Sequence, residues 1–133
     1  RIAHFSMVVR EYAEAIAWFT ERLGFRLVED TKLSGAKRWV LVAPPGEANT
    51  SIFLGRATTP SQEAAIGSQT GGRVGFFLQT DDFQRDHRAF LARGVEFIES
   101  PREEEYGTVA IFTDLYGNKW DLIQYRPGAS AVT

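Results

Sequence analysis

Leu23-Gly24-Phe25-Arg26-Leu27-Val28-Glu29 and Arg93-Gly94-Val95-Glu96-Phe97-Ile98-Glu99 are one phrase written twice. In each, an amphipathic stretch ends on a glycine that opens an apolar, strand-forming run. Glycine enters the left-handed region at little cost, so it is a natural helix stop. Around these phrases the same order can be read twice: strand, helix, strand, strand, strand. The first copy covers about residues 2–56 and the second about 73–126, joined by a linker over 57–72. A repeat of this kind settles the architecture before any single motif does. It predicts an α+β fold of two tandem βαβββ modules, forming a curved, eight-stranded mixed sheet around a central cleft.

Alternation over residues 2–9 puts Ala3, Phe5, Met7 and Val9 on one face and His4, Ser6 and Val8 on the other. Residues 11–23 carry Tyr12, Ile16, Phe19 and Leu23 on one helical stripe. Strands are predicted over 25–31, 37–43 and 51–55, separated by Ser34-Gly35 and Pro44-Pro45-Gly46. The linker has room for a short helical turn after Ser61. In the second copy, 73–80 reads as a strand. Asp81 or Asp82 caps a helix that runs to Arg93, with Phe83, His87, Phe90 and Leu91 in phase. His87 is therefore expected as a hydrogen-bonded core histidine. Strands follow over 95–99, 107–113 and 119–125, the last two joined by a tight turn at Asp114-Leu115-Tyr116-Gly117-Asn118. Glu103-Glu104-Glu105 reads as a solvated turn, Tyr106 as part of a lid beside Gly107, and the tail after Pro127 as frayed.

The 133 residues suit one domain, which buries roughly two-thirds of its unfolded surface. Net charge is −2 with no basic block, so no nucleic-acid partner is expected. The chain has no cysteine, which excludes disulfides, thiolate metal sites and a cysteine nucleophile. No apolar run reaches membrane-spanning length and no signal peptide is visible, so a cytoplasmic protein without a membrane partner is expected. Exposed strand edges need cover, so a homodimer is expected.

The words Ile2-Ala3-His4-Phe5, Ala17-Trp18-Phe19 with Leu23-Gly24-Phe25, and Asp114-Leu115-Tyr116-Gly117-Asn118-Lys119-Trp120-Asp121-Leu122 resemble those of the vicinal oxygen chelate superfamily. That superfamily includes glyoxalase I, extradiol dioxygenases, fosfomycin-resistance enzymes and bleomycin-resistance proteins. The last word resembles the family's Asp-Pro-x-Gly-Asn-x-x-Glu-Leu ending, with Leu115 where proline is usual. The resemblance covers nearly the whole chain. It specifies the fold and leaves the chemistry open, because this superfold hosts many activities.

The resemblance implies up to four metal ligands, one from the first and one from the last strand of each module. By the repeat these positions are His4 and Phe53 in the first copy, and Gly75 and Asp121 in the second. His4 and Asp121 are thus the candidate catalytic and metal-ligating residues, for zinc, nickel, manganese or iron, with Gln79 a weak third ligand. Phenylalanine and glycine cannot coordinate, and a catalytic metal wants three protein ligands and an open position. Without a metal, His4 and Asp121 could act as general acid and base. Phe53 and Phe77 are expected on the cleft face, with either Arg38 or Trp39, and either Ile111 or Phe112, alongside them. Two readings follow. One is a binding protein that holds a small aromatic or amphipathic molecule against Arg38, Trp39, Phe53, Gly75, Phe77, Gln79, Tyr106 and Phe112. The other is a metal-dependent lyase, transferase or dioxygenase of glyoxalase type that uses His4 and Asp121.

Overall fold

A computed structural model describes residues 1–46 and 50–128. The expected frayed tail lies from residue 129 onward outside the described residues. The chain divides into two compact units, Arg1–Gln69 and Thr70 onward.

The first unit contains β1 (His4–Val9), α1 (Tyr12–Arg22), β2 (Arg26–Lys32), β3 (Arg38–Ala43), β4 (Ser51–Arg56) and the short α2 (Pro60–Ala65). Its strands form one sheet in the order β1-β4-β3-β2. β1 runs parallel to β4, and the other neighbours are antiparallel. The second unit contains β5 (Val74–Gln79), α3 (Phe83–Ala92), β6 (Glu96–Phe97), β7 (Arg102–Glu104), β8 (Gly107–Thr113) and β9 (Lys119–Tyr125). Its order is β5-β9-β8-β6, with β7 also on β8 and with β5 parallel to β9. The repeat is therefore real: each unit has a helix and a sheet whose first strand lies parallel to its last. Gly24 and Gly94 both adopt positive φ where the two phrases predict a helix stop. No described helix is long and apolar enough to cross a membrane.

The described strands number nine, in sheets of four and five, where eight were expected. The difference lies in residues 95–104. The strand predicted over 95–99 is paired only at Glu96 and Phe97. At Ile111 the backbone N–H is met by the Glu99 carboxylate at 3.2 Å. Pro101 lacks an N–H, and the ladder resumes at Arg102. Glu103 and Glu104, expected in a solvated turn, thus belong to β7 and pair with Thr108 and Gly107. Tyr106 is not on a lid. It sits in the β7–β8 turn, where its carbonyl accepts the Arg126 N–H at 2.7 Å while the Arg126 guanidinium donates to the Glu104 and Glu105 carbonyls. At Gly107 a Cβ would lie 2.0 Å from the Gln124 carbonyl oxygen, so the close approach of β9 demands glycine.

Each sheet buries one face beneath its helix. In the first unit Met7 and Val9 from β1, Val40 and Val42 from β3, and Ile52 and Leu54 from β4 are buried, as are Ala15, Trp18 and Phe19 of α1. The second unit is built from rings. Phe76 stacks on Trp120 at 4.6 Å, Trp120 on Phe112 at 5.7 Å, and Phe112 meets Phe90 of α3 edge-on. Alternation left Ile111 and Phe112 as equal candidates for the opposite face. Phe112 is fully buried in this ring stack, so the expectation that it lines a ligand site is corrected. His87 packs between Phe83, stacked at 5.3 Å, and Phe97, edge-on at 4.5 Å. It makes no hydrogen bond to a described residue, in contrast to the expected hydrogen-bonded histidine.

The β8–β9 turn is tied by a buried carboxylate. Asp114 Oδ1 accepts the N–H groups of Tyr116 and Asn118, each at 3.0 Å. Its Oδ2 accepts from the Asn118 side-chain amide and the Trp120 indole, also at 3.0 Å. Backbone bonds from Gly117 N–H to the Asp114 carbonyl, and from Asp114 N–H to the Asn118 carbonyl, close the same loop. The carboxylate therefore fixes both the turn and the indole at the centre of the ring stack.

Two predictions follow from these contacts. Asp114→Ala removes the shared acceptor of the buried Asn118 and Trp120 donors and should cost roughly 3 kcal/mol in urea unfolding followed by tryptophan fluorescence, with Asp114→Asn losing less. An Asp114→Ala protein of unchanged stability would refute this account of the turn. Burial among the rings also depresses the His87 pKa below its ordinary 6.5. The unfolded chain then binds more protons than the folded one as pH falls through about 6.5, so stability should decline there and hold above it. His87→Phe should flatten that part of the stability profile, and an unchanged slope would count against it.

Candidate functional site

Parallel pairing of β1 with β4 sets Ser6 beside Phe53. Antiparallel pairing of β3 with β4 sets Leu41 on the other side of Phe53. These residues occupy the sheet face turned away from α1. Trp39 lies two positions before Leu41, and its ring is 4.7 Å from the Phe53 ring. His4 lies two positions before Ser6 and meets Trp39 edge-on at 6.0 Å. His4, Trp39 and Phe53 thus share one aromatic surface.

Arg38, the alternative to Trp39, belongs to the α1 side. Its Nε donates to Asp30 Oδ1 at 3.0 Å and its guanidinium lies 5.0 Å over the Tyr12 ring. The Arg38 N–H donates to the Tyr12 hydroxyl at 3.2 Å. The hydrogen bond with Asp30 raises the arginine pKa further, so this cation is permanent and largely committed.

Tyr12 inserts where β3 and β4 are no longer paired, and a cavity of about 590 Å³ opens there. Its walls include Ser6, Tyr12, Lys37, Arg38, Phe53, Gly55, Arg56, Thr58 and Gln62, all within the first unit. Sequence reasoning found Arg38 and Phe53 of this set. It missed Tyr12, assigned to the core by its helical stripe, and Thr58 and Gln62, assigned to the linker. The Thr59 side chain caps α2 by accepting the Gln62 N–H at 3.1 Å. The Thr-Pro start of α2 was the available signal, because threonine caps and proline suits the first helical turn.

In the second unit, Phe77 pairs with Asp121, which pairs with Ile111 across β8. Phe77 and Asp121 therefore hold the places that Ser6 and Phe53 hold in the first unit. Phe77 is 64% exposed, and Gln79, two positions on, is also exposed. Gly75 falls where the β5–β9 register slips, between Val74 and Phe76. A Cβ built there would meet the Thr70 methyl at 2.5 Å. Thr70 is held in place by donating to the Arg73 carbonyl at 2.6 Å. The place that the resemblance marks for a second-unit ligand is thus filled by a threonine from the preceding segment.

Asp121 stands apart. Its Oδ1 is buried and meets no hydrogen-bond donor among the described residues. Burial pushes its pKa up and Glu99 adds to the rise, while Arg102 opposes it. That arginine is itself held by Glu99 at 2.8 Å and Glu104 at 2.9 Å.

The four positions that the resemblance marks for metal thus hold His4 and Phe53 in one unit, and Gly75 and Asp121 in the other. Each unit offers one donor. Among the described residues no group of three or more His, Asp or Glu side chains could hold a metal ion. The donor set does not fit a catalytic metal, which wants three protein ligands.

Residues 1–122 match the model of the Glyoxalase/Bleomycin resistance protein/Dioxygenase superfamily. An uncharacterized protein of Shewanella frigidimarina is 50% identical over 92% of each chain. Among solved structures, UcmS2 superposes with a TM-score of 0.80 at 26% identity, over 92% of this chain and 96% of that one. TnmS3, an antibiotic binding protein from Streptomyces sp. CB03234, superposes with a TM-score of 0.75 at 31% identity, over 95% and 96%. Sequence, fold and paired units agree: the chain belongs to the Glyoxalase/Bleomycin resistance protein/Dioxygenase superfamily.

Proposed function

We propose that this chain is a small-molecule-binding member of its family, taking an aromatic or amphipathic ligand into the cavity beside Phe53 without a metal. The observation that carries this reading is the 590 Å³ cavity in the first unit, where an aromatic wall faces several hydroxyl and amide groups. Pockets of this size with apolar walls and a few polar groups are the common form of small-molecule site. Phenylalanine at the last-strand position supports the reading. It replaces a ligand that would draw in a hydrated ion with a ring that prefers an apolar partner. TnmS3, an antibiotic binding protein of similar fold, lends support from outside. The alternative is a metal-dependent lyase, transferase or dioxygenase using His4 and Asp121, for which two of the four family positions cannot coordinate.

Burying a ring against Phe53 contributes roughly 1–3 kcal/mol. Phe53→Ala should therefore weaken binding of planar aromatic compounds about ten-fold or more while leaving the fold intact. Trp39, 4.7 Å from Phe53, provides the fluorescence signal. Unfolding of Phe53→Ala, or binding indifferent to it, would make Phe53 a packing residue and overturn the reading. Zinc, nickel, manganese or iron should be lost on extensive dialysis. Stoichiometric metal that survives, and disappears in His4→Ala and Asp121→Ala, would favour the enzyme.

A further inference from the structure

The cavity beside Phe53 has a charge pattern that its apolar wall does not explain. Three cationic residues, Lys37, Arg38 and Arg56, line it, and no carboxylate does so among the described residues. The three are not equivalent. Arg38 is committed to Asp30. Arg56 reaches the Glu11 carboxylate only at 3.7 Å, and Glu11 is itself well exposed. Lys37 has no ion pair with any described residue. It is held in position by a tight turn, in which its N–H donates to the Ser34 carbonyl at 3.1 Å and its own carbonyl accepts from Leu33 at 2.9 Å.

The neutral groups point the same way. Gln62 Oε1 accepts both the N–H and the hydroxyl of Thr58, at 2.8 and 3.1 Å. Its amide nitrogen therefore keeps two donors for a ligand. A concave wall with cations of one sign focuses potential and concentrates counter-ions.

We infer that the cavity takes an aromatic molecule that also carries an anionic group, with the ring on Phe53 and the carboxylate or phosphate on Lys37, Arg56 and the Gln62 amide. This rests on the binding reading above and adds the chemical class of the ligand. Arg38 holds the wall through Asp30 and Tyr12 rather than the ligand.

The test compares three probes with one skeleton: naphthalene-carboxylate, naphthyl phosphate and the neutral naphthalene-carboxamide. Binding to the intact chain is measured by calorimetry. Two charge-assisted contacts should make at least one anionic probe bind about ten-fold more tightly than the carboxamide. That preference should shrink with added salt. In the double variant Lys37→Gln and Arg56→Gln it should fall to near unity, with the anionic probes losing much more affinity than the carboxamide. Lys37 and Arg56 are not in the apolar core, so thermal unfolding should stay close to wild type. Which anion binds more tightly identifies the source of the charge.

Gly55→Leu separates this inference from the reading beneath it. A Cβ at Gly55 would touch the Phe53 ring at 3.4 Å, so the larger side chain fills the cavity. If all three probes bind equally and all are lost in Gly55→Leu, the binding reading stands and the anionic class is overturned. If no probe binds, or if binding survives Gly55→Leu, both fall.

Discussion

The parallel pairing of each unit's first strand with its last is the constraint on which the rest depends. Parallel neighbours cannot be joined by a tight turn, so the chain must cross over between them. That crossover carries the helix and the two intervening strands. The helix then covers one face of the sheet, and alternate residues of the first and last strands are left on the other. The pairing decides which residues meet there: Ser6 with Phe53 in one unit, Phe77 with Asp121 in the other.

Much of this was legible in the sequence because glycine and alternation act locally. Gly24 and Gly94 stop their helices whatever lies around them. Phe5 and Met7 alternate with His4 and Ser6, so the face that continues to Val9 was readable. The two face ambiguities share one cause, which is that propensity is silent where both neighbours suit both faces. Ile111 and Phe112 are both apolar, and the choice fell to the fit of Phe112 against Phe90 and Trp120. Arg38 and Trp39 are both amphipathic, and the choice was made by Asp30 and Tyr12, residues distant in sequence. The break between β6 and β7 was hidden for another reason. A glutamate side chain takes the Ile111 N–H there, which no strand pattern encodes.

The candidate site was half legible. The equivalence of His4 with Gly75 came from counting residues, and it meets a register slip at Gly75 itself. Counting could not reveal that Thr70 fills the vacated space. The nine-residue word from Asp114 to Leu122 contains two aspartates with opposite fates. Asp114 is surrounded by donors and fixes the turn and the core indole. Asp121 has a buried oxygen that meets no donor among the described residues. The first is explained by folding alone, whereas the second is not. Composition gives no hint of the difference, because Asp114 lies in the β8–β9 turn among backbone and side-chain donors while Asp121 lies within β9.

The two faces also carry different risks. Residues beneath the helices are closely packed, aliphatic in the first unit's sheet and ring on ring in the second, and a missing methylene there costs stability directly. Residues on the opposite face, such as His4 and Phe77, are exposed and bear little of the packing. Substitution on that face can therefore change chemistry while the fold persists. Phe53 stands on that face, and Trp39 shows the local consequence of a ring there. With its ring 4.7 Å from Phe53, it leaves an apolar surface where a hydrated cation would need polar partners. At this place the scaffold presents a ring to another ring, with cations lining the cavity beside it.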